Sequence, residues 1–349
     1  MRLSHGIHLA YCTNIHRGGD WAETLRSLDE HTLRVRDRVS DGKPYAIGLR
    51  LGDAASRQLA QADELQRFRE WLDKNNCYVF TVNGFPYGDF HGKRIKEQVY
   101  QPDWTTPERV EYTKRLFDIL AELAPADAGG SVSTVPCSFK DFITTDEQVK
   151  AMRRNLWEVI EHVDALSVKT GKDMHLGLEP EPLCYLETSE EMIQFYRQLR
   201  DDRPGDDRLT KRLGINYDPC HLAVEFEEAS AALGSLVAEG IRISKLHFSS
   251  ALSVKPGAEV LDGLADFAED IYFHQVVARG EGGELTRYRD LPDALAAAAR
   301  GETVDGTEWR IHFHVPLHCP PCRLFDTTSN QLKAAIGVLG AGPTMCSHI

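Results

Sequence analysis

The sequence predicts an α/β protein built as a closed (β/α)8 barrel. Three observations point there. Short apolar strands alternate with amphipathic helices over most of the chain. The strands carry small and polar residues on one face and apolar residues on the other. Carboxylates and imidazoles gather at strand ends. Strand–helix alternation gives a parallel sheet, and seven or eight repeats favour closure over an open, doubly wound sheet. A chain of 349 residues fits two domains of ordinary size, or one barrel with insertions, which is the reading adopted for residues 1–349.

The strands are expected at Ile7–Ile15, Tyr45–Leu51, Tyr78–Phe85, Ser131–Cys137, Met174–Glu181, Leu213–Asp218, Ile243–Ser249 and Arg310–Leu317. In the fifth, His175, Gly177, Glu179 and Glu181 share one face and Leu176 and Leu178 the other. In the first, His8, Ala10, Cys12 and Asn14 oppose Ile7, Leu9 and Tyr11. The polar face suits a barrel interior and mouth, and the apolar face suits the outer helices. Trp21, Leu25, Leu28, Val35 and Val39 mark a helix whose start, Asp20 with Glu23, has capping-box spacing. Thr106-Pro107 places a cap and a first-turn proline before Leu116, Ile119, Leu120 and Leu123. Val149, Met152, Leu156, Val159, Val163 and Leu166 form the next stripe, which Gly171 ends.

Two segments exceed a minimal barrel unit. Residues 84–104 form a long connection after the third strand, rich in aromatics and charge (Phe85, Tyr87, Phe90, His91, Lys93, Arg94, Lys96, Tyr100), placed to act as a lid or as an ordered surface loop. Residues 251–309 contain an expected hairpin, Ile271–Ala278 with Leu285–Tyr288, around Gly280-Glu281-Gly282-Gly283.

Composition narrows the function. Forty basic against fifty-three acidic residues give a net charge of −13, which opposes broad binding to nucleic acid or anionic membrane. No stretch approaches a membrane span and Met1–Gly6 lacks the apolar core of a secretory signal, so no membrane insertion and a cytoplasmic setting are expected. Eight cysteines are too sparse for a disulfide scaffold, and several sit in apolar strands as small hydrophobes. No G-x-G-x-x-G or P-loop follows the first strand, and no G-x-S-x-G is present.

The chemistry-bearing residues lie at the C-terminal ends of strands, which in a barrel open on one mouth. Glu179 and Glu181 end the fifth strand, Asp218 the sixth in Asp218-Pro219-Cys220-His221, and His247 the seventh; His312 and His314 share a face of Ile311-His312-Phe313-His314-Val315. Taken singly, each has an ordinary alternative: a buried histidine hydrogen-bonded in the core, rim glutamates paired with basic residues, an aspartate capping the next helix. Together they form a carboxylate–imidazole set suited to a divalent cation such as Zn, Mn, Fe or Co. His318-Cys319-Pro320-Pro321-Cys322 contains C-x-x-C without a second pair or a thioredoxin-like unit, and reads as a rigid loop. His274, in Tyr272-Phe273-His274-Gln275, is placed either over the mouth or on a hairpin exterior.

The order Leu-Glu-Pro on the fifth strand, Asp-x-x-His after the sixth and histidine on the seventh resembles the xylose-isomerase-like barrels, sugar isomerases and epimerases whose superfamily also holds a three-zinc apurinic endonuclease. Leu9–Asn14, Val82–Gly88, Ser131–Pro136, Asp218–His221 and His312–Leu317 are similar to the family called metabolite traffic protein EboE, nearly end to end. The resemblance implies a TIM barrel and a link to traffic of secondary-metabolite precursors. It implies Glu179, Asp218 and His247 as metal ligands and His221 as a further ligand or a substrate contact. The fourth epimerase ligand is a glutamate on the last strand; here either the chain stops short of it or His314 takes its role, and either Arg310–Leu317 or the segment after Thr344 closes the barrel.

The function expected on these grounds is a divalent-metal-dependent isomerase or epimerase acting on a small sugar, polyol or keto metabolite. Glu179 would serve as base, assisted by Glu181 and His221, with substrate contacts at Asn14, Asn83, Tyr87, His274 and His312. The alternative is a non-catalytic barrel that holds and hands over a metabolite. A DNA-repair endonuclease fits the charge poorly.

Overall fold

The structure, a computed structural model, describes residues 1–88, 96–268, 273–302, 308–318, 320, 322–341 and 345–349. Seven strands form one parallel sheet in chain order: β1 (Tyr11–Cys12), β2 (Tyr45–Arg50), β3 (Cys77–Asn83), β4 (Gly130–Thr134), β5 (Met174–Leu178), β6 (Leu213–Tyr217) and β7 (Arg242–Leu246). Residues 347–349 take the eighth position. On one side His8 N donates to Ser347 O at 2.7 Å, Ile349 N to His8 O at 2.9 Å and Ala10 N to Ile349 O at 2.7 Å; on the other, Leu246 N donates to His348 O at 3.0 Å. The barrel thus closes through the C-terminal segment, one of the two closures the sequence left open.

The strand faces divide as their alternation predicts. Leu176 and Leu178 are fully buried in the layer between sheet and helices. His175 faces inward, its ring centroid 5.0 Å from that of His348. Gly177 sits where strands crowd: a Cβ there would lie 2.9 Å from Asn216 N and 3.2 Å from Ser244 Cβ. The helices follow their caps. Glu23 N donates to Asp20 Oδ1, Pro107–Leu123 starts at its proline, and Asp146–Thr170 opens on a Thr145/Gln148 capping box and ends on left-handed Gly171.

A second, five-stranded antiparallel sheet follows β7, in the order β10-β9-β11-β8-β12: β8 (Leu252–Val254), β9 (Val276–Arg279), β10 (Leu285–Tyr288), β11 (Glu308–Ile311) and β12 (Asp326–Thr327). The expected hairpin is present as β9 and β10, starting at Val276; Ile271 and Tyr272 lie outside the described residues. The expected barrel strand Arg310–Leu317 is a correction. Arg310 and Ile311 pair antiparallel with β8 and β9, because Trp309 and Ile311 bury their side chains in this sheet's own core with Leu252, Val254, Val276 and Leu291. The sheet extends past residue 309 to Thr327, and its ends are clasped: Ala251 N donates to Thr328 Oγ1 at 2.8 Å and Thr328 N to Ala251 O at 3.0 Å. The chain then enters helix Ser329–Gly340 and reaches the eighth strand position. Among the described residues no helix is long and apolar enough to cross a membrane.

The closing segment is pinned by His348, whose Nδ1 and Nε2 lie 2.8 Å from Ser131 Oγ and 2.8 Å from the Ala128 carbonyl, beside Phe80. Burial lowers its pKa from 6.5 to about 4, against the pull of the Ala128 carbonyl. The unfolded chain takes up this proton near pH 6.5 and the closed barrel only near pH 4. The contribution to stability is therefore whole above pH 6.5 and is lost as pH falls through that window, roughly 3 kcal/mol in all. Denaturant unfolding of wild type and His348→Gln from pH 7 to 4 should show the wild-type curve falling more steeply; parallel curves would remove His348 from the acid response.

Candidate metal centre

The site is built at the mouth by three consecutive strand ends. Glu179 follows β5, Asp218 follows β6 and His247 follows β7, and one ligand atom from each lies within 4.8 Å of the other two. His247 Nδ1 is 2.9 Å from Glu179 Oε1 and 3.2 Å from Asp218 Oδ2. Tetrahedral ligands at bond lengths near 2.1 Å stand about 3.4 Å apart, so these atoms need to part by only a few tenths of an ångström to admit a cation.

Asp218 is held from its far side. Its Oδ1 accepts from Ser249 Oγ, from Cys220 N at 2.8 Å and from His221 N at 3.4 Å. It therefore does cap the short helix Pro219–Val224, and the cap leaves Oδ2 facing His247 and, at 3.8 Å, His221 Nε2. Burial works against its charge, yet His221, His247 and His314 hold the carboxyl well below the usual carboxylate range. Glu179 is likewise lowered, with burial opposing and His247 prevailing. Burial would depress His247, but Glu179 and Asp218 raise it to about 9, which places an imidazolium between the two carboxylates. Its Nε2 is buried with no hydrogen-bond partner. A donor set of two carboxylates and an imidazole, with one oxygen fixed from behind, fits a divalent cation.

Around this trio the sequence-predicted residues divide. Burial pushes the Glu181 carboxyl up to about 7, and its Oε1 accepts from Tyr100 OH at 3.0 Å. His221 Nδ1 lies 3.1 Å from the Pro180 carbonyl. His314 groups with Asp218 and His221 rather than with Glu179 and His247. His312 Nδ1 meets Gln275 Oε1 at 2.7 Å, and its Nε2 is 3.3 Å from His314 Nε2. Asn14 Oδ1 is buried without a partner. Asn83 Oδ1 accepts from Phe85 N at 3.1 Å and so shapes the start of the loop. Tyr87 packs edge-on against Tyr112, 4.9 Å away, beside Arg109. His274 stacks on Phe313 at 4.0 Å, in the second sheet's side of the structure. Cys322 is exposed, and Cys319 lies outside the described residues. Phe90, His91, Lys93 and Arg94 of the expected lid also lie outside them.

Four contributors escaped sequence reasoning. Ser249 lies two residues beyond His247 on the same alternating face, a signal that was legible. Tyr100 stacks between Phe85 and Phe139. Gln275 links Tyr100 OH, at 3.2 Å, to His312. Lys245 is buried within the barrel with Nζ 3.4 Å from Ser133 Oγ; burial lowers its pKa, while Glu179 and Asp218 counter that shift.

No protein-family model matches the chain, and no curated protein matches it. Among solved structures it is similar to an L-ribulose 3-epimerase (14% identity, 68% of each chain, TM-score 0.45). It is also similar to a xylose isomerase-like TIM barrel protein from Mycobacterium smegmatis in complex with magnesium (13%, 97% of each chain, TM-score 0.48). A third is the IolI protein with a bound zinc atom (15%, 67% of this chain and 70% of that one, TM-score 0.39). At such identities these are likenesses of fold; the chemistry of the site rests on its own side chains.

Removing the Ser249 hydroxyl leaves Asp218 Oδ1 with backbone donors alone. Ser249→Ala should weaken Mn or Zn binding by about 10–100-fold, the usual effect of losing a group that orients a ligand, as read by isothermal titration. His318→Ala and Cys322→Ala should leave affinity unchanged.

Proposed function

We propose that the protein is a divalent-metal-dependent isomerase or epimerase acting on a small polyhydroxylated or keto metabolite in the cytoplasm. The observation that carries this reading is the convergence of Glu179, Asp218 and His247 at one mouth. A cation held there would polarise a substrate carbonyl and the neighbouring hydroxyl. The protein's own residues supply the rest. Glu179 stands beside the cation position and takes the proton from the carbon next to the carbonyl. Glu181, oriented by Tyr100, returns a proton to the adjacent carbon or to the other face. His221, from the helix after the sixth strand, and His312, from the second sheet, bind substrate oxygens, and Asn14, with its buried unpartnered oxygen, offers a contact from the 3-10 turn after the first strand. Tyr87 and His274 are engaged elsewhere and serve this reading least. The similarity of the chain's motifs to EboE supports a precursor of a secondary metabolite as the substrate class.

Proton transfer in a site open to water exchanges carbon-bound hydrogen. Incubation of metal-loaded protein with ketoses, inosose-like cyclitols or related ketones in heavy water should label the α-carbon of a substrate, and Glu179→Gln should abolish both labelling and product. A compound that binds at the mouth with neither exchange nor product in wild-type protein would instead support a carrier of metabolites.

A further inference from the structure

The second sheet carries a cavity that the chemistry of the mouth leaves unused. After Ile311 the chain turns out of β11: Phe313 N donates to Ile311 O at 2.7 Å, and Val315 N donates to Ser250 O at 2.9 Å. On the other side, β12 is two residues long and pairs with β8 at Ser253 and Leu252. Leu252, Phe313, Val315, Pro316 and Phe325 line the space between them, about 320 Å³. Phe267 meets Phe313 and Phe325 edge-on, with ring centroids 5.9 and 5.7 Å away. Gly263 lets Phe325 come close, since a Cβ there would stand 3.3 Å from Phe325 Cζ. Pro316 and Pro320 have no N–H to satisfy and so suit a dry wall. Among the described residues the one carboxylate on the lining is Asp326, which is exposed and accepts from Thr327 N at 2.7 Å through Oδ1.

Core side chains do not fill this space, and Phe267 on its wall is 46% exposed. Such a surface gains by being covered with apolar atoms. Its neighbour decides what covers it. His314 lines the cavity, and the same residue brings a ring nitrogen within 4.8 Å of ligand atoms of Asp218 and His221. Asp218 Oδ2 in turn lies 3.2 Å from His247 Nδ1. One imidazole therefore separates the polar mouth from the apolar cavity, and a molecule seated at the mouth extends into the cavity past that ring. At about 30 Å³ for a water-sized group, the space takes roughly ten heavy atoms.

We propose that the cavity is a specificity subsite and that the substrate is amphipathic, with its carbonyl and neighbouring hydroxyl at Glu179, Asp218 and His247 and a hydrocarbon substituent in the cavity. The proposal rests on the reading of that trio as the seat of the reacting group. It narrows the keto metabolite to one bearing an apolar tail, because a bare sugar has no part that gains from a wall of Phe313, Phe325 and Leu252. It also gives the second sheet a task in recognition, since Phe313, His314 and Val315 follow directly from β11.

Dependence on tail length tests this. The 1-hydroxyalkan-2-ones, from hydroxyacetone upward, carry the head group and a tail of chosen length. Titrated by calorimetry into the Mn-loaded full chain, they should gain about three- to fourfold in affinity per methylene, up to about ten carbons. The longest should also slow alkylation of Cys322, an exposed thiol on the cavity lining, as read by peptide mass spectrometry, and hydroxyacetone should not. Cys322→Trp and Val315→Phe fill the space from an exposed and a half-buried position. Each should flatten the gain with length while Mn affinity stays at the wild-type value. A flat series in wild type, unslowed alkylation, or a gain that survives in both variants would overturn the subsite; Mn-dependent binding of hydroxyacetone would then leave the reading of the mouth standing. Long-tail binding indifferent to Mn, beside hydroxyacetone binding that requires it, would make the cavity a separate site and overturn the shared substrate. Binding indifferent to Mn at every length would remove the reading of the mouth as well.

Discussion

The buried carboxylate of Asp218 is the constraint on which the rest of the mouth depends. It has no exposure to water, so its charge persists only where donors and cations surround it. The protein satisfies the two oxygens differently. One is saturated by the Ser249 hydroxyl and two backbone N–H groups of the following helix; the other is turned to His247 and His221. The sixth strand, the helix it leads into and the seventh strand are thereby locked to a single atom pair. A helix cap and a ligand are usually alternative explanations of an aspartate. Here the cap fixes one carboxylate oxygen and leaves the other facing His247 and His221.

The surrounding charges explain the close approach of the trio's side chains. Glu179 and Asp218 would repel each other in a dry mouth, and His247, protonated up to about pH 9, stands between them. Lys245 lies within the barrel, where burial lowers its pKa and Glu179 and Asp218 counter that shift. Further out the balance changes: burial and the neighbouring His221 and His314 keep His312 neutral, well below its ordinary pKa. The mouth therefore passes from an ion-paired inner region to a neutral imidazole region. The second is supplied by the antiparallel sheet, which is tied to the barrel by Gln275 bridging Tyr100 and His312 and by Arg287 pairing with the buried Glu225 at 2.5 Å.

Much of this was legible in the sequence, because a parallel barrel writes its geometry into periodicity. Strand alternation placed His175, Gly177 and Glu179 on the inner face, and the strand-end positions of Glu179, Asp218 and His247 predicted their convergence. Caps at Asp20, Pro107 and Gly171 appear where their residue types require them. The misplaced element was Arg310–Leu317. Its apolar alternation, with Trp309 and Ile311 inward, is as suitable for an antiparallel insert as for a barrel strand, and periodicity does not tell which core receives it. Gln275 and Tyr100 were hidden for another reason: a neutral amide and a phenol act by linking groups far apart in sequence, and no local pattern marks such a link.

The clasp between Ala251 and Thr328 has a topological consequence. The strand that completes the barrel lies beyond the whole second sheet in the chain, so the polypeptide leaves the barrel after β7 and returns to close it. Loop-closure entropy grows slowly, by about 0.6 kcal/mol for each doubling of length, and the excursion folds around its own core with its two ends joined. To the barrel it is a short connection. Such an excursion is free to change in size and content without disturbing closure, and its inner edge looks onto the mouth. The anionic floor of Glu179 and Asp218 thus belongs to the barrel, while the imidazoles of His312 and His314 above it belong to the excursion.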